Sequence, residues 1–124
     1  MSIANRGYAD VWVFMPAGHL THLNSEAFSG ELTARIDECL KGGQAVVFDL
    51  SQLEFISSAG LRCFLQAVKQ AKAGNARCLF AALRPDVVEI FRISKFDRIF
   101  EIFPTLREAL ASASPQAAQA FEHG

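Results

Sequence analysis

Residues Ala45–Leu65, AVVFDLSQLEFISSAGLRCFL, carry a strand, a connection and the start of a helix in immediate succession. Ala45 to Leu50 is a continuous apolar run broken only by Asp49, the pattern of a strand covered on both faces. Beyond the connection stand Ser57 and Ser58, then Gly60. Leu61, Phe64, Leu65 and Val68 then recur on one helical face, with Arg62, Gln66, Lys69 and Gln70 largely on the other. Two hydroxyls thus meet the head of a helix, where free backbone N–H groups and the positive dipole end favour negative charge. A phosphate added there is tolerated locally and alters the charge of the surface around it. The segment is a candidate covalent switch.

Working outward, Asp10 to Met15 is β-branched and aromatic and reads as a strand, broken by Pro16-Ala17-Gly18. A short segment around His19 to His22 comes next. Asn24 or Ser25 can cap a helix whose apolar residues Phe28, Leu32, Ile36 and Leu40 recur every four positions, ended by Gly42-Gly43. Downstream, Gly74-Asn75 is a turn and Cys78 to Ala82 a further buried strand. Pro85 suits the first position of a third helix, which carries Val88 and Phe91 and ends near Ser94. Ile99 to Phe103 reads as a last strand stopped by Pro104, and Thr105 can cap a final short helix through Leu110.

Strands alternating with helices predict an α/β domain with a largely parallel sheet and right-handed crossovers. An antiparallel placement of the Asp10 strand at one edge would make the sheet mixed. The expectation is a single domain over residues 1–110. It has a mixed, mostly parallel sheet of four to five strands, about four helices, and its functional edge at the strand-to-helix turns. The Ala/Ser/Gln-rich stretch 111–124 is expected to be a flexible tail, frayed or weakly helical.

Composition narrows the classes. The chain has 124 residues, 51% of them hydrophobic and 20% charged, which suits one globular core and excludes general disorder. A net charge of −1 without a Lys/Arg stripe gives no footprint for nucleic acid. Eleven phenylalanines against one Trp and one Tyr predict a core built on Phe. Cys39, Cys63 and Cys78 are odd in number and match no zinc spacing, so they read as reduced core residues of a cytoplasmic protein. The apolar run Val11–Met15 is too short for a signal peptide or a membrane span.

The motif Val47-Phe48-Asp49-Leu50 followed by Phe55-Ile56-Ser57-Ser58-Ala59-Gly60-Leu61 resembles the signature of STAS domains, the anti-sigma factor antagonists of bacteria. Gly18-His19-Leu20 is similar to the Gly-x-Leu-Asp turn of that family. Arg84-Pro85-Asp86-Val87 with Phe91-Arg92-Ile93-Ser94 resembles its segment after the penultimate strand. The likeness runs from about residue 8 to 110. It implies a regulatory binding domain, not an enzyme, that captures an ATP-dependent anti-sigma serine kinase and is released on phosphorylation. A serine phosphatase resets the cycle. The acceptor follows an Asp in an Asp-Ser-Ser/Thr-Gly pattern, which places it at Ser58, with Ser57 as the alternative. The resemblance also implies a partner-facing surface of Thr21, Asn24, Ser57, Ser58, Ala59, Gly60 and Arg62. Two positions depart from the pattern: Ser57 stands in place of the acidic residue and Thr21 in place of the Asp of the turn. Their loss of carboxylates leaves open a second reading, a non-phosphorylated STAS scaffold in a transport ATPase or a larger signalling complex.

Each residue also has a plainer reading. Ser57-Ser58 and Asn24 are good helix caps. Gly60 suits a partner's close approach or a tight turn, and Asp49 suits bracing of the serine turn or of its own strand end. Arg62 reads as a partner contact, a phosphoserine ligand or a solvated charge. His19 and His22 come after a Pro-Gly break with no third ligand in view, so no metal or other cofactor is expected. No serine sits in a Gly-x-Ser-x-Gly elbow, so no catalytic residue is assigned.

Overall fold

A computed structural model describes residues 3–123. The chain runs β1 (Ala4–Tyr8), β2 (Val11–Met15), β3 (Gly18–Leu20), α1 (Ser25–Lys41), β4 (Ala45–Asp49) and β5 (Leu53–Ile56). It continues through α2 (Ser58–Ala73), β6 (Cys78–Ala81), α3 (Pro85–Ile93), a 3-10 turn (Phe96–Arg98), β7 (Glu101–Phe103), α4 (Leu106–Ala113) and α5 (Pro115–His123).

Five strands form the main sheet in the order β1-β2-β4-β6-β7, parallel except for the β1–β2 hairpin. The mixed, mostly parallel sheet is the expected one. Its antiparallel edge, however, is β1, and the Val11 strand lies inside. Apart from Tyr8, little in the sequence ANRGY advertises a strand. It is held by pairing, and by the fit of Gly7 under Trp12, where an added Cβ would come within 2.3 Å of the ring.

Alternation along the strands sorts the core into two layers. Phe14, Val46, Phe48, Cys78 and Phe80 face α1, α2 and α3. Val11, Val13, Val47, Leu79 and Ala81 face α4 and α5. The first layer is a phenylalanine cluster: Phe80 stacks on Phe48 at 5.2 Å and on Phe100 at 4.6 Å, and meets Phe64 edge-on at 5.4 Å. Such ring pairs add to the burial of their area. On α1 the buried stripe is Phe28, Leu32, Ile36 and Cys39, with Leu40 half-buried. A strict spacing of four drifts off a 3.6-residue helix, so the last step is three. All three cysteines are free and buried. Burial pushes the Cys78 thiol up to about 12, with a smaller push from the Glu101 carboxylate.

Other boundaries differ from expectation. Val88 is exposed on α3 and Val87 takes the core position beside Phe91. The last strand begins at Glu101, because Lys95 adopts a left-handed φ of 64° and the 3-10 turn uses the residues before it. The stretch expected as a flexible tail instead continues α4 to Ala113 and forms α5. Ala117 is buried, Phe121 packs edge-on against Tyr8 at 5.5 Å, and Arg107 pairs with Glu122. The Ser114 hydroxyl, buried between the two helices, donates to Asp10 and accepts from the Ala117 N–H. Apolar burial on β1 and β2 outweighs the weak local propensity of this stretch. Among the described residues, no helix is long and apolar enough to cross a membrane.

Candidate functional site

Gly18–Leu20 and Leu53–Ile56 pair in parallel as a separate two-stranded sheet, with His19 opposite Phe55 and Leu20 opposite Ile56. Because the two strands run the same way, the turns at their C-terminal ends emerge at the same edge. After Leu20 comes the turn Thr21–Asn24; after Ile56 come Ser57 and Ser58. The backbone N–H of Ser57 donates to the Leu20 carbonyl at 2.9 Å, which fixes the two connections side by side.

The adjacent serines have different environments. Ser57 is extended, with φ −90° and ψ 174°, and is the N-cap of α2, its Oγ accepting from the Gly60 N–H at 3.3 Å. Ser58 is the first residue of the helix and is exposed. Ser57, which the resemblance sets against the Asp of the family pattern, is therefore a cap position. Asp and Ser cap a helix about equally well, so the replacement keeps the cap and removes only the charge. No acidic residue occupies the first turn of α2.

Gly60 is buried, and an added Cβ would lie 2.7 Å from Ile56 Cγ1 and 2.8 Å from Leu20 Cγ. The contact is between the helix and the small sheet beneath it. Gly60 thus serves the domain's own packing.

The neighbouring turn is braced from within. The Thr21 N–H donates to Asn24 Oδ1 at 2.9 Å, Asn24 Nδ2 donates to the His19 carbonyl at 2.9 Å, and the Leu23 N–H donates to Thr21 Oγ1 at 3.2 Å. Asn24 occupies the N-cap position of α1 without a side-chain cap bond. Its amide holds the loop instead. Asp49 likewise bonds its own strand end, accepting from the Ser51 N–H at 3.0 Å. The Cys63 thiol is shared between the carbonyls of Ser25 and Ala59, both at 3.4 Å, tying the heads of α1 and α2 together. Burial raises its pKa, which keeps it a neutral donor.

Of the seven residues expected at a partner surface, Ser58 and Arg62 are exposed. Thr21, Asn24, Ser57 and Ala59 are half-buried, and Gly60 is buried. The Arg62 guanidinium makes no hydrogen bond or ion pair among the described residues. It lines a shallow groove between α1 and α2 that also includes Glu26, Ser29 and Ala59. Two apolar side chains join this edge without a motif to announce them. Leu23 is 85% exposed in the Thr21–Asn24 turn, and Phe55 is exposed beside the His19 ring at 6.2 Å. The available signal is that Leu23 falls outside the buried stripe of α1.

Comparison with known proteins gives this edge its context. The chain matches the STAS domain family over residues 2–109. It is 41% identical, over 77% of its length and 79% of the relative's, to the Bordetella bronchiseptica protein named "Putative anti-sigma factor antagonist BtrV". An anti-sigma factor antagonist from Mycobacterium paratuberculosis superposes with a TM-score of 0.80 at 21% identity, covering 90% of this chain and 92% of that one. The Bacillus cell fate determinant SpoIIAA, solved in its phosphorylated form, superposes with a TM-score of 0.66 at 17% identity over 91% and 100%. At these identities the two structures speak for the fold alone. The match along most of its length and the 41% identical relative show that the chain belongs to the STAS domain family of anti-sigma factor antagonists.

Proposed function

We propose that this protein is a cytoplasmic anti-sigma factor antagonist that binds an ATP-dependent anti-sigma serine kinase through the edge carrying Thr21–Asn24 and Ser57–Ser58. The kinase phosphorylates Ser58, the complex separates, and a serine phosphatase restores the binding form. In this role the protein is a substrate and a binding partner, with no catalysis of its own. The observation that carries the reading is the division of labour between the two serines: Ser57 spends its hydroxyl on the helix cap, while Ser58 presents an exposed one. Leu23 supplies an apolar anchor beside it, of the kind that protein interfaces bury. A phosphate on Ser58 would be compatible with the α2 N-terminus, so the fold survives modification while the surface gains about two negative charges. That charge would act on the partner by repulsion and by desolvation cost.

The test is incubation with the cognate kinase and ATP. The wild type should gain one phosphate, and Ser58→Ala should gain none while still binding the kinase. Ser58→Asp should weaken the complex. A protein that binds the kinase yet never gains phosphate leaves binding and removes the switch. Co-purification with a membrane transport ATPase in place of a kinase would favour the scaffold reading.

A further inference from the structure

A second candidate site lies toward the far end of α2 from the serines. Leu65, Val68, Lys69 and Lys72 form one stripe of the helix, at spacings of three and four residues. Opposite runs the segment Ile99–Glu101, and between them is a groove of about 450 Å³. That size is within the roughly 300–1,000 Å³ of small-molecule sites. Its floor is apolar, with Phe100 and Cys78 buried, and its rim includes Ile99, 55% exposed.

The charges of the groove depart from those of the chain. Lys69, Lys72 and Arg77 face one carboxylate, Glu101, leaving two positive charges in a protein of net charge −1. Arg77 is committed: it pairs with Glu101 at 2.9 Å and donates to the Ser112 carbonyl at 2.7 Å and to Ser112 Oγ at 3.0 Å. The Lys69 and Lys72 ammonium groups have no hydrogen bond or ion pair among the described residues. Lysines near a helix C-terminus are explained by the dipole alone. The uncovered apolar wall facing them is not.

We propose that this groove binds a free medium-chain fatty carboxylate. The tail would lie on Leu65, Val68 and Ile99, and the head would take charge-assisted hydrogen bonds from Lys69 and Lys72. The fixed carboxylate of Glu101 disfavours a dianionic head and so selects a monoanion. The site is independent of Ser58 and of the kinase.

A backbone amide NMR titration with sodium decanoate, below its micelle-forming concentration, tests the assignment. Shifts should concentrate on residues 65–72, 77–78 and 99–101. Decanol and acetate, which supply the tail or the charge alone, should each bind much more weakly. The double variant Lys69→Gln/Lys72→Gln should lose roughly tenfold in affinity, as expected for removing charge-assisted contacts. Ile99→Glu, a change at an exposed position, should weaken decanoate as well. Binding of decanol as tight as decanoate, unchanged affinity in the double variant, shifts scattered over the surface, or no shifts at all would each overturn the proposal. Ser58→Ala should titrate like the wild type, so failure here is separable from failure of the kinase reading.

Discussion

Within two turns of backbone the head of α2 divides into an inner and an outer layer. Ser57, Gly60 and Leu61 face inward, where Ser57 caps the helix and Gly60 lies against Leu20 and Ile56. Ser58 and Arg62 face outward, and their side chains make no hydrogen bond among the described residues. The difference teaches that one short motif serves two masters: its inner members hold the edge in place, and its outer members are free to be read or modified. Substitution should therefore cost stability on one side and recognition on the other.

The largest effect is expected at Gly60. Gly60→Val places a Cβ and two methyl groups where the Cβ alone already collides with Ile56 and Leu20. Overpacking of this kind should destabilise the domain by about 3 kcal/mol in urea unfolding. A stability near wild type would show that α2 can lift from the small sheet, and the inner layer would lose its meaning. Ser57→Ala comes next, removing one cap bond at a cost of about 1 kcal/mol, while Ser57→Asp should restore most of it. If Ser57→Asp is as unstable as Ser57→Ala, the position is not acting as a cap. Ser58→Ala should be the mildest, within about 0.5 kcal/mol of wild type, because its exposed side chain supports nothing.

Much of this is legible in the amino-acid sequence. The apolar runs at Val46–Phe48 and Cys78–Ala81 and the stripe on α1 carry periodicities strong enough to specify strands and helices. The motif at Ser57–Gly60 marks the edge that the proposed function uses. Structure made by pairing is not legible in the same way: β1 has, apart from Tyr8, residues of little strand propensity, and β3 with β5 are too short to show a period. α5 is hidden for the same reason, since Ala117 and Phe121 become a buried face only against Tyr8 and its neighbours. At the site, the cap role of Ser57 and the packing role of Gly60 depend on Leu20, far away in the chain. Asn24 has the residue type of a cap, but its amide is taken by Thr21 and His19.

The measurement that bears most directly on the division between the two serines is phosphosite mapping by mass spectrometry on the protein isolated from its own cells. The account predicts a single phosphate, on Ser58, with Ser57 unmodified. Phosphate on Ser57, or no phosphate on either serine even after incubation with the kinase and ATP, would contradict it.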